Sequence, residues 1–98
     1  MREEQILNDA AEILKKELNP EKIILFGSRA KGGNSKHADF DFAVDVKSPD
    51  ITKKRKLEEK LDEIAGLYKI DVVYLKSVED DFRDIVLKTG KIVYERGK

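Results

Sequence analysis

The sequence predicts an α+β fold, a small mixed β-sheet flanked by helices, in the order helix, strand, turn, strand, helix, strand, helix. Three observations predict it. Apolar residues recur at three- and four-residue spacing in separate segments. Short β-branched or alternating runs lie between those segments. Gly, Pro and Asn stand where one kind of segment gives way to the other.

Ile6, Leu7, Ala10, Ala11, Ile13, Leu14 and Leu18 line one face of a first helix. Asn19-Pro20 stops it, because the residue before a proline is pushed out of the helical region. Lys22-Ile23-Ile24-Leu25-Phe26 is a nearly continuous apolar run ending at Gly27-Ser28, the pattern of a buried strand entering a turn. Residues 31–37 are polar around Gly32-Gly33-Asn34-Ser35 and read as a loop. From Asp39 to Val46 the chain alternates: Phe40, Phe42, Val44 and Val46 share one parity, Asp39, Asp41, Ala43 and Asp45 the other. That is a strand with one apolar face.

Ser48-Pro49-Asp50 supplies a cap and a proline for the first turn of a second helix, whose inner face carries Leu57, Leu61, Ile64 and Ala65 and which ends at Gly66. Its charges, Lys53-Lys54-Arg55-Lys56 and Glu58-Glu59-Lys60, form a solvated face. Residues 70–75 read as a third strand with Asp71 inside it. Ser77 is placed to cap a last helix through Phe82, Ile85, Val86 and Leu87 to Gly90, and Lys91-Ile92-Val93-Tyr94-Glu95 suits a short edge strand.

At 98 residues the chain has room for a single domain, residues 1–98, with one modest core. Hydrophobic residues make up 40%, enough to fold, and charged residues 41%, enough for solubility. Lys plus Arg and Asp plus Glu each number 20, so no net field draws the chain to nucleic acid or anionic lipid, and a nucleic-acid substrate is not favoured. There is no cysteine, which excludes disulfides, thiolate metal sites and thiol nucleophiles. The first residues lack the apolar run of a signal peptide and no stretch approaches ~20 apolar residues, so the expected location is the cytoplasm, with no membrane partner.

The chemistry is concentrated in Gly27-Ser28-Arg29-Ala30-Lys31-Gly32 and Asp39-Phe40-Asp41. Residues two apart in a strand point the same way and lie roughly 6.6 Å apart, so Asp39 and Asp41 can serve one site. Two converging carboxylates repel, and a hard cation resolves the conflict: Mg²⁺ prefers oxygen ligands and is held by one or two carboxylates with phosphates and water. A tight turn at Gly27-Ser28 can aim backbone N–H groups and a hydroxyl at an anion. Phosphate cradle and dicarboxylate together suit phosphoryl or nucleotidyl transfer. Asp71, an aspartate in an apolar strand, needs a partner and is the candidate third carboxylate.

Gly27-Ser28, ten intervening residues, then Asp39-Phe40-Asp41 resembles the signature of the DNA-polymerase-β-like nucleotidyltransferases. The fuller GSRAKG with ADFDFAVD is similar to their minimal prokaryotic members, the MNT domains, over essentially the whole chain. The resemblance implies a polymerase-β-like fold, contact of Gly27, Ser28 and Arg29 with the nucleotide, and metal binding and catalysis by Asp39, Asp41 and Asp71, with two Mg²⁺ ions and ATP as substrate. It departs from the pattern at Ala38, where a serine often stands. Arg29 and Lys31 are available to assist with phosphate, and His37, the one histidine, is a weaker candidate because no orienting partner is visible.

Such minimal domains resemble the antitoxin half of two-gene modules whose partner is a helical HEPN protein. The resemblance implies transfer of AMP from ATP to a hydroxyl of that partner, a tyrosine being the expected acceptor, within a homo- or hetero-oligomer. Two other readings stay open: a binding antitoxin that leaves its aspartates unused, and the catalytic subunit of a small-molecule nucleotidyltransferase acting on an aminoglycoside-like hydroxyl.

Overall fold

The computed structural model describes residues 2–27 and 39–97. Seven elements follow in the order α1 (Arg2–Leu18), β1 (Lys22–Phe26), β2 (Phe40–Val44), α2 (Ile51–Ala65), β3 (Ile70–Tyr74), α3 (Asp80–Thr89) and β4 (Lys91–Glu95). This is the expected α+β order with the edge strand added at its end. The four strands form one mixed sheet in the order β3-β2-β1-β4. β1 runs antiparallel to both β2 and β4, whereas β2 and β3 are parallel. The parallel pair follows from α2, which carries the chain back between them as a helical crossover.

Alternation along the strands divides the side chains between two faces. On one, Ile23, Leu25, Phe40, Phe42, Val44, Ile70 and Tyr74 pack against Ile6, Ala10 and Leu14 of α1 and Leu57, Leu61 and Ala65 of α2. Phe40 and Phe42, two apart on β2, lie with near-parallel rings 6.2 Å apart between centroids. On the other face, Ile24, Ala43, Leu75 and Val86 make a smaller core beneath α3, with Phe26, Val73 and Val78 beside it.

The helix ends show local chemistry at work. Asn19 ends α1 in the left-handed region at φ 48°, and its N–H bonds the Lys15 carbonyl. Gly66 ends α2 at φ 63°, a conformation that Gly adopts without steric cost. Two caps differ from expectation. Asp50 is the N-cap of α2, its Oδ1 accepting from Lys53 N at 2.9 Å, so Pro49 precedes the helix instead of opening it. Ser77 does not cap α3: its Oγ accepts from Ser48 N at 2.8 Å, tying the start of one crossover to the end of β3, and Glu79 is the N-cap.

β2 is also shorter than its alternation predicts, ending at Val44. Asp45 leaves the ladder because its carboxylate accepts from Glu21 N at 2.9 Å and Lys22 N at 3.1 Å, satisfying backbone donors where β1 begins. Among the described residues, no helix is long and apolar enough to cross a membrane.

Candidate active site

The α3 face of the sheet is ordered in rows across the strands. Ile24 of β1 pairs with Ala43 of β2, and Ala43 with Val73 of β3; this row is apolar and lies against the small core. One step toward the end of β1, Phe26 pairs with Asp41 and Asp41 with Asp71. Paired residues on neighbouring strands of one face stand roughly 5 Å apart, so the two carboxylates occupy one patch. Asp39 sits just ahead of β2, exposed and on the same parity as Asp41. Lys69 lies opposite it, just ahead of β3, and the two approaches are joined by a bond from Phe40 N to the Lys69 carbonyl at 2.8 Å.

Burial pushes the Asp41 carboxyl above its ordinary value, and the negative charges of Asp71 and Asp39 push it the same way, while Lys69 opposes them. The interior aspartate of the row therefore feels both of the others. Lys69 Nζ stands 3.9 Å from Asp71 Oδ1, a loose pair with the lysine side chain 70% exposed. Gly27 closes the row's edge at the end of β1. Its φ of 77° favours glycine, and a Cβ there would stand 2.5 Å from Asp41 Oδ2. Backbone and carboxylate thus approach each other as closely as they do because position 27 has no side chain.

Ser28, Arg29, Lys31, His37 and Ala38 lie outside the described residues. The structure brings together Gly27, Asp41 and Asp71, with Asp39 at the margin of the same row. Lys69 was missed by the sequence reading, although its position two residues before Asp71 places it on the same parity.

Among the described residues, no group of three or more His, Cys, Asp or Glu side chains forms a ready-made metal cage. The donor set still suits Mg²⁺, which takes one or two carboxylates and completes its shell with phosphate oxygens and water. Asp41 and Asp71 supply that pair, Asp39 is within electrostatic reach, and a cation between them removes the repulsion that raises the Asp41 carboxyl.

The chain matches the family model described as "Polymerase beta, Nucleotidyltransferase" over residues 8–98. It belongs to the polymerase-β nucleotidyltransferase family. That family is one of nucleotidyltransferases, and the carboxylate row of this chain lies on β2, where Asp39-Phe40-Asp41 stands at the strand's start, and on β3. The Haemophilus influenzae "Probable protein adenylyltransferase MntA" is 31% identical over 74 residues, covering 74% of this chain. The match spans 65% of that relative, just under two thirds of its length. A toxin-antitoxin crystal structure with AMP-PNP contains a chain that superposes with a TM-score of 0.77 at 26% identity, over 92% of this chain and 73% of its own. Another shows a tri-AMPylated Shewanella oneidensis HEPN toxin in complex with an MNT antitoxin. There the match has a TM-score of 0.72 at 25% identity, over 97% of this chain and 73% of the other. These structural neighbours thus come from toxin-antitoxin complexes, one of them an MNT antitoxin bound to a HEPN toxin.

Proposed function

We propose that this chain is a Mg²⁺-dependent protein adenylyltransferase that moves AMP from ATP to a tyrosine hydroxyl of a helical HEPN-type partner, and thereby acts as an antitoxin. The observation that carries the chemistry is the direct cross-strand pairing of Asp41 with Asp71 beside Gly27. The relatives support the acceptor: one is named a protein adenylyltransferase, and another is an MNT antitoxin seated on an AMPylated HEPN toxin.

Asp39, Asp41 and Asp71 would hold Mg²⁺, two ions in the arrangement that nucleotidyl transfer uses, and bound Mg²⁺ supplies charge neutralisation for the triphosphate. Gly27, Ser28 and Arg29 would receive the phosphates. Gly27 contributes room, since a methyl group there would collide with Asp41. The acceptor oxygen attacks the α-phosphorus as the bond to the bridging oxygen breaks and pyrophosphate departs; Asp71, at the outer end of the row, takes the acceptor's proton.

Calorimetry of ATP binding with Mg²⁺ and with EDTA is the direct test. Three carboxylates beside a triphosphate repel it unless a cation intervenes, so affinity is expected to collapse in EDTA. Equal affinity in the two conditions would sink the metal-dependent reading.

A further inference from the structure

Among the described residues, Lys69 is the basic residue whose charge reaches the interior carboxylate, and the chemistry proposed for the row gives it no role. It shares a parity with Asp71, faces Asp39 across the entrance to the β2–β3 pair, and keeps its ammonium 3.9 Å from Asp71. The pairing is loose and well exposed, which leaves the side chain free to swing at little cost. A four-carbon stem ending in a compact ammonium suits a group that serves two partners in turn.

The charge balance says what those partners are. Three aspartates and the four negative charges of ATP sum to about seven, and two Mg²⁺ ions neutralise four of them, so the loaded site retains an excess of anion. We infer that Lys69 is an exchangeable counter-ion of the nucleotide site: before the metal arrives it partly neutralises Asp71, and when Mg²⁺·ATP takes over the carboxylates its ammonium moves to the triphosphate. The inference rests on the nucleotidyl-transfer reading of the carboxylate row. Lys69 is a positioning residue for the triphosphate and takes no proton in the reaction.

The two halves of this exchange have opposite signs, and that makes it testable apart from turnover. Titrations of Mn²⁺ alone, followed by the loss of its free electron-paramagnetic-resonance signal, and of ATP in saturating Mg²⁺, followed by calorimetry, are made on wild type, Lys69→Gln and Lys69→Arg. Lys69→Gln is expected to bind Mn²⁺ about two- to fivefold more tightly, because a competing cation has left Asp71. It is expected to bind Mg²⁺·ATP about tenfold more weakly, because a charge-assisted phosphate contact is lost. Lys69→Arg should restore most of the ATP affinity. Both affinities falling together would mark a structural role and overturn the inference, as would unchanged ATP affinity. A wild type that binds neither Mn²⁺ nor ATP would instead overturn the reading of the carboxylate row itself. Circular dichroism confirms that each variant is folded.

Discussion

The two faces of the sheet are built for different ends. The face under α1 and α2 is apolar along its whole length, and Phe42, Leu14, Ile23 and Leu61 are fully buried there. Among the described residues the opposite face is covered by one helix, α3, around Ile24, Ala43 and Val86. The same strands therefore carry a folding surface on one parity and a carboxylate row on the other. Phe40 and Phe42 hold β2 in the core, and their neighbour Asp41 is thereby presented beside Asp71. Changes on the first face should register in stability, and changes in the carboxylate row in chemistry.

The largest stability effect should come from the two-helix face. Phe42→Ala removes a buried ring at the centre of the core and should cost about 3–5 kcal/mol, read by denaturant unfolding. Much of that cost reflects a cavity under both helices. A loss below about 1 kcal/mol would show that the face is not the continuous core described.

Gly27→Ala sharpens the comparison at the boundary between the faces. Left-handed backbone disfavours an L side chain by roughly 1–2 kcal/mol, and the added methyl also meets the Asp41 carboxylate. Stability should fall modestly while Mn²⁺ affinity falls as well, because the displaced group is a candidate ligand. Asp45→Ala is the matched control. Asp45 shares its parity with Asp41, but its carboxylate is spent on Glu21 and Lys22 backbone donors, so the variant should lose about 1–2 kcal/mol and retain Mn²⁺ binding.

The pH response is a smaller effect and of opposite sign to that of most carboxylates. Burial and the Asp71 charge raise the Asp41 carboxyl above its ordinary 3.8, so the folded state holds a proton more tightly than the unfolded state does. Stability of the metal-free protein therefore declines as pH rises from about that value through the raised one, and the decline ends above it. Asp41→Asn should remove this component, and thermal unfolding from acid to neutral pH in EDTA would reveal it. Glu17 gives the contrasting case on the other side of the molecule: the Lys60 ammonium, bonded to it at 2.7 Å across α1 and α2, holds its carboxyl down. Its contribution is present at neutral pH and lost as pH falls through the depressed value.

Much of this was legible in the sequence, because parity and spacing are local properties. Alternation from Phe40 onward separates the aspartates from the phenylalanines before any pairing is known, and Gly66 and Gly90 mark helix ends by their chemistry. What was not legible depends on partners distant in the chain. Ser77 has the right residue type for a cap, but Ser48 N, 29 positions away, claims its hydroxyl. Asp45 has the parity of a site residue, and only the return of β1 alongside β2 reveals that its carboxylate is occupied. Lys69 looks like one lysine among many until the β2–β3 register sets it opposite Asp39. The pairing of Asp41 with Asp71 likewise depends on the α2 crossover delivering β3 in a parallel register.

The central claim is that the paired carboxylates transfer AMP to a protein. Its most direct test is the intact mass of a helical HEPN-type partner after incubation with this chain, ATP and Mg²⁺. The account predicts addition of whole AMP units on tyrosine, lost in EDTA and reduced to below about 1% of the wild-type rate by Asp41→Asn, a deficit of roughly 3 kcal/mol or more in transition-state stabilisation. A partner that stays unmodified, yet is bound and neutralised equally well by wild type and Asp41→Asn, would contradict it.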